Sequence, residues 1–212
     1  LVMDGDPFDE GVLADPVGLH TAIREAAPVV WVPRYEAWFT ARDAEVREAL
    51  TDWERFSSAS GVGVANIRRV GSWQKPSVIL EVDPPDHAIT RRVLSRILSP
   101  RAMRDMRTEF ERFAAELVDE LVERREFDAM ADLAFRFPFT VLPDAVGLPA
   151  AGREHLVRYS TMYFNARVPT SALAHSSAEA ARAAGSLDWV AVRCQRDELA
   201  PGGFGRQIYA AA

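Results

Sequence analysis

Cysteine is nearly missing from this 212-residue chain, which carries only Cys194. That excludes an internal disulfide framework and suits a reducing cytoplasm, the expected location. No apolar run approaches the roughly 20 residues that span a bilayer, and the longest candidates are short stretches such as VVWV. The N-terminus, LVMDGDPFDEG, is acidic and lacks a basic region followed by an apolar one, so it does not read as a signal peptide. Positive charge is short too. With 25 Lys and Arg against 31 Asp and Glu the net charge is -6, which argues against a nucleic-acid binder. His20, His87, His155 and His175 fall in no metal-ligand spacing such as H-E-x-x-H, and G-x-S-x-G does not occur. Gly202-Gly203-Phe204-Gly205 is no dinucleotide fingerprint and reads as a break between helices. Repeats and low-complexity segments are missing as well. What is present, 48% hydrophobic and 26% charged residues, is the composition of a globular chain large enough to bury a core.

The apolar spacing places a helix over 13–27, ended by Pro28, and a hairpin in which VVWV and AWFTA flank the turn PRYE. Asp43 is expected to cap a helix through AEVREAL. From Ser57 to Pro76 the periodicity dissolves into SSASGVGVANIRRVGSWQKP. A loop of that length is functional or disordered, and its Val62, Val64, Ile67 and Trp73 favour the first. A helical series follows: about 84–98, then 100–124 after the Ser99-Pro100 cap, 130–146 ended by Gly147 and Pro149, and 151–166, 176–197 and 204–212. The expected fold is mainly α with a small N-terminal β element.

One stretch carries chemistry. In DPPDHAITRR, residues 83–92, Asp83 is expected as N-cap, Pro84 as the first helical residue and Asp86 in the first turn. His87 and Arg91 are then i and i+4 on one face, while Val93, Leu94, Ile97 and Leu98 occupy the other. An imidazole and a guanidinium so aligned grip an anion with two or more oxygens. Spacing alone equally fits two solvated cations on a surface helix.

The DPP-x-H-xxx-R pattern resembles the opening of helix C in bacterial cytochrome P-450 monooxygenases. The hairpin, the long loop, the Ser-Pro break and the run of helices follow in that family's order. SASGVGV, VLPDAVGLPAAGREHL and LAPGGFG resemble the bacterial group that oxidises small aromatic acids. The resemblance implies the N-terminal half of the P-450 fold, a single partial domain over 1–212. That domain would end before the oxygen-activating helix and the cysteine-ligand loop. It further implies a haem b cofactor whose propionates are held by His87 and Arg91. Cys194, in WVAVRCQRDELAPGG, has no glycine loop around it and reads as an inert thiol. The chain alone is therefore expected to lack the iron ligand and to be inactive.

Carried over residue by residue, the resemblance makes Ser60, Val62, Val64, Phe164 and Arg167 substrate-binding candidates. Relatives in the aromatic-acid group have an arginine where this chain has Ser60, and an apolar residue where it has Arg167. This implies that the cation for a substrate carboxylate has moved between walls, with a neutral phenolic substrate as the alternative. Arg92, Arg96, Arg101 and Arg104 belong to a local cluster in which Asp105 is the only acid between His87 and Arg107. On the family's proximal face such a patch receives an acidic [2Fe-2S] ferredoxin. The parent protein is thus expected to be a cytoplasmic haem-thiolate monooxygenase, monomeric when complete. It would hydroxylate or O-demethylate a small aromatic and make no use of membrane or nucleic acid. A non-enzymatic α-helical module binding a ligand or partner is the competing reading.

Overall fold

The computed structural model describes residues 1–69 and 76–211, so Trp73 lies outside the described residues. In chain order come α1 (Glu10–Ala14), α2 (Val17–Ala26), strands β1 (Val30–Val32) and β2 (Ala37–Phe39), α3 (Asp43–Thr51) and α4 (Asp86–Ile97). They are followed by α5 (Pro100–Arg124), α6 (Arg136–Val146), α7 (Glu154–Asn165), α8 (Ala172–Ala183), α9 (Ser186–Arg193) and α10 (Phe204–Ala211). The expected mainly α chain with a small N-terminal hairpin is what forms.

Several boundaries differ from the sequence expectation, each for a local reason. The helix expected over 13–27 is two, because Asp15 leaves helical geometry at φ -140° and Pro16 has no amide to continue the ladder. The helix expected over 176–197 is split at Gly185, which takes the left-handed conformation at φ +68° and separates α8 from α9. Asp43 is not the cap of α3 but its first residue, with Arg42 as N-cap, and its carboxylate accepts from Arg47 Nε at 2.9 Å. The Ser99-Pro100 start is confirmed: Ser99 Oγ accepts from the Ala102 amide at 3.4 Å. Ahead of α6 the chain makes a wide π turn over Ala129–Phe135, begun by Asp128, whose carboxylate accepts from the amides of Met130 and Ala131 at 2.8 Å. Pro138 follows shortly. Its ring crowds the carbonyl four residues back, that of Ala134, and an unwound turn relieves this.

The chain divides into two compact units. The first holds Leu1–His87 and Met162–Ala178. Its sheet pairs Val30 with Phe39, Trp31 with Trp38 and Val32 with Ala37, antiparallel. Strand alternation puts Val30 and Val32 on the inner face, where both are buried with Ile23 of α2 against Leu19, Tyr35 and Phe39. Trp31 and Trp38 meet with ring centroids 5.2 Å apart. The Ser57–Arg69 part of the long loop is closed by its own backbone: the Ile67 amide donates to the Ser60 carbonyl at 2.8 Å and the Gly61 amide to Ser58 at 3.0 Å. Ile67 is buried beneath it. This part of the loop is built rather than loose.

The second unit holds Ala88–Thr161 and Glu179–Ala212. Leu117 and Leu121 on the inner stripe of α5 are buried, each worth about 1.5–3 kcal/mol on removal from water. Phe110 and Phe113 of the same stripe lie 6.3 and 6.1 Å from the Phe137 ring of α6. Across the polar side of this contact Arg136 donates to both Glu120 oxygens at 2.6 Å. Gly147, at φ +95°, ends α6, and the Pro143 carbonyl accepts from the amides of Gly147 and Leu148. Arg153 then ties the exit: its guanidinium donates to the carbonyls of Pro149 at 2.9 Å and Leu148 at 2.7 Å and to the Asp144 carboxylate at 2.6 Å.

Candidate functional site

Asp83 was expected to cap α4, and it does not. The helix starts at Asp86, after a cis Pro84-Pro85 peptide. The Asp83 carboxylate instead accepts from the Ser57 hydroxyl and from the Ser58 amide at 3.0 Å, tying the helix entrance to the start of the long loop. The Ser57 hydroxyl, with the Ser58 and Ala59 amides, holds that carboxyl below its ordinary 3.8. The helix still gains a first-turn acid, Asp86, against its positive end. Ile97 is buried on the apolar side, whereas Leu98 at its end is exposed.

His87 and Arg91 stand one turn apart on α4, with His87 half-buried and Arg91 exposed. Neither side chain has a hydrogen-bond or ion-pair partner among the described residues. Several other guanidinium groups do face acids, among them Arg55, Arg107, Arg112, Arg124, Arg136, Arg153 and Arg193. An unmatched pair of donors, one of them half-buried, has the chemistry that two carboxylate arms require. The donor set thus fits the propionates of a haem, but it offers nothing to the iron. Cys194 follows α9 and is half-buried, and burial pushes its thiol pKa up, away from the thiolate form. Among the described residues no cluster of three His, Cys, Asp or Glu could hold a metal ion, and no helix is long and apolar enough to cross a membrane.

Of the substrate candidates, Val64 and Arg167 are brought together: the Val64 amide donates to the Arg167 carbonyl at 3.0 Å. Ser60 and Val62 are exposed on the loop. Phe164 is also exposed, at 69%, with its ring 6.0 Å from that of Tyr163. Arg167 is not a free cation. Its Nη1 donates to Glu81 at 2.7 Å, and its guanidinium lies 4.5 Å above the Tyr163 ring. Glu81, wholly buried, was missed by sequence reasoning, although an acid inside the apolar run VILEV is the signal that could have found it. Among the arginines of the expected docking cluster, Arg92, Arg96 and Arg104 are exposed without an acidic partner among the described residues. Arg101 is loosely paired with Asp105 at 4.0 Å. Arg96 and Arg101 border one shallow groove of about 460 Å³. A groove of about 550 Å³ between α5, α6 and α10 contains none of the expected site residues.

No family model matches the chain. Over 206 residues it is 44% identical to cytochrome p450 CYP199A2 of Rhodopseudomonas palustris, covering 97% of this chain and 50% of that protein. The chain belongs to the cytochrome P450 family. It is 32% identical over 152 residues to the erythromycin C-12 hydroxylase of Saccharopolyspora erythraea, covering 72% of this chain and 36% of the hydroxylase. A solved structure of a P450 EryK mutant with erythromycin B matches with a TM-score of 0.66 and 25% identity, over 92% of this chain and 48% of that one. The P450 chain described here therefore spans about half the length or less of the curated relatives it matches. Its fold is that of the N-terminal half of a cytochrome P450, as the order of its elements led us to expect.

Proposed function

We propose that the protein to which this chain belongs is a haem-thiolate monooxygenase that hydroxylates or O-demethylates a small aromatic substrate. Electrons would come from a [2Fe-2S] ferredoxin in the cytoplasm. The observation that carries the reading is the cationic pair His87 and Arg91, unmatched by acids in a chain 44% identical to a cytochrome P450. Haem, when bound, supplies iron-centred activation of dioxygen. This chain's own residues hold and surround it. His87 and Arg91 take the two propionates of haem b, each as a charge-assisted hydrogen bond.

Ser60, Val62, Val64 and Phe164 supply a largely apolar wall for a flat ring, with Arg167 behind it. An exposed phenylalanine such as Phe164 gains about 0.5–1.5 kcal/mol from an aromatic partner beyond its burial. Arg92, Arg96, Arg101 and Arg104 attract an acidic partner, an attraction that weakens as salt rises. The complete protein acts as a monomer, and its thiolate ligand comes from residues other than those of this chain.

The test uses carbon-monoxide difference spectra and haem titration. The 212-residue chain alone is expected to give no thiolate-type band, and the parent protein to give one. His87→Ala with Arg91→Ala in the parent should weaken haem retention by roughly tenfold or more per residue, since each charge-assisted bond is worth about 1.5–3 kcal/mol. A thiolate-type band from the chain alone would defeat the proposal, as would unchanged haem retention in the double variant. A parent that takes up no haem at all would favour the helical binding module.

A further inference from the structure

Glu81 and Arg167 form the most deeply placed ion pair of the first unit: the Glu81 side chain is 0% exposed and that of Arg167 17%. Both Glu81 oxygens are used. Oε1 accepts from Arg167 Nη1 at 2.7 Å, and Oε2 accepts from the Ser77 amide at 2.8 Å. Arg167 is fixed on its other sides as well. Its guanidinium rests on Tyr163, and its carbonyl accepts from the Val64 amide. The backbones are close: a Cβ built on Gly63 would stand 2.6 Å from the Arg167 carbonyl oxygen and 2.9 Å from its Cα. Only glycine permits that approach. Three separate stretches, 63–64, 77–81 and 163–167, thus meet at one arginine.

We infer that Glu81 is a positioning residue that neutralises Arg167 and, through it, pins the glycine-containing loop to the 163–167 stretch, leaving no free positive charge there for a substrate carboxylate. The pair explains how this chain carries an arginine beside an aromatic-binding wall at no cost in unpaired buried charge. A carboxylate entering beside Arg167 would meet a guanidinium whose charge Glu81 already offsets, and would bring a second negative charge close to that buried carboxylate. The wall accordingly suits an uncharged aromatic, such as a phenol ether or an ester, over the corresponding acid. The clamp stands on geometry alone, whereas the selectivity rests on the aromatic-substrate reading proposed above.

Two measurements on the haem-loaded parent protein test it, using Glu81→Gln, which keeps the shape, and Arg167→Met, which keeps much of the stem. Amide exchange at Val64 should speed up by about tenfold or more in both variants, the equivalent of one charge-assisted hydrogen bond. Binding of a methoxybenzoate and of its methyl ester should show no preference for the acid in the unmodified protein. In Glu81→Gln the acid should gain roughly tenfold over the ester, because the guanidinium is unmasked. Unchanged Val64 exchange in both variants would overturn the clamp. A wild-type preference for the acid that Arg167→Met abolishes would overturn the selectivity and make Arg167 the anion anchor. If neither ligand binds, the aromatic reading and the selectivity fall together, while Val64 exchange still decides the clamp.

Discussion

Two adjacent glycines in APGGFG should respond oppositely to the same methyl group. Gly203 is buried where the chain passes the end of α6, and a Cβ there would stand 2.4 Å from the Val146 carbonyl oxygen and 2.7 Å from Gly147 Cα. Both neighbours are backbone, so neither can swing aside. Ordinary contact lies near 3.4 Å or beyond, so the strands of chain must part by about 1 Å. They are held together by the Ala200 amide, which donates to the Gly147 carbonyl at 2.9 Å. Overpacking of about 1–3 kcal/mol, plus about 1 kcal/mol for a weakened hydrogen bond, puts Gly203→Ala at about 2–4 kcal/mol. Gly202 has nothing within 4 Å of its virtual Cβ, and its φ lies outside the left-handed range. Gly202→Ala should be neutral or stabilise by up to about 1 kcal/mol through the unfolded chain. Thermal melting followed by circular dichroism reads the contrast. A fall of roughly 4–16 °C is expected for Gly203→Ala, and none for Gly202→Ala. Equal melting temperatures for the two variants would refute the packing argument.

Arg153→Ala should destabilise the second unit by about 2–4 kcal/mol, because it strips donors from the Leu148 and Pro149 carbonyls and from Asp144. Arg153→Lys should restore only part of this, since an ammonium cannot reproduce the fork; urea midpoints check both. For Asp83 the sign follows from a folded pKa held below 3.8 by the Ser57 hydroxyl. The stability it contributes is complete above that ordinary value and is lost as pH falls through the lower one. Amide shifts of residues 57–59 should therefore report an acid transition that Asp83→Asn removes. An identical transition in Asp83→Asn would discount the Ser57–Asp83 tie.

The sequence by itself determined the elements whose cause is local. The inner stripe of α5, the Ser99-Pro100 start, the Gly147 stop and the hairpin of VVWV and AWFTA around PRYE were all legible, because periodicity, capping and turn chemistry act within a few residues. The His87–Arg91 spacing was legible for the same reason: an i, i+4 relation needs nothing but a helix. Family membership came from long runs of matching residues, which needs no coordinates either. Only tertiary structure decided where Asp83 and Arg167 spend their charge. Asp83 turns to Ser57, 26 residues earlier, and Arg167 to Glu81, 86 residues earlier. A charged side chain takes the partner that burial leaves to it, and at such separations no local rule says which one that is.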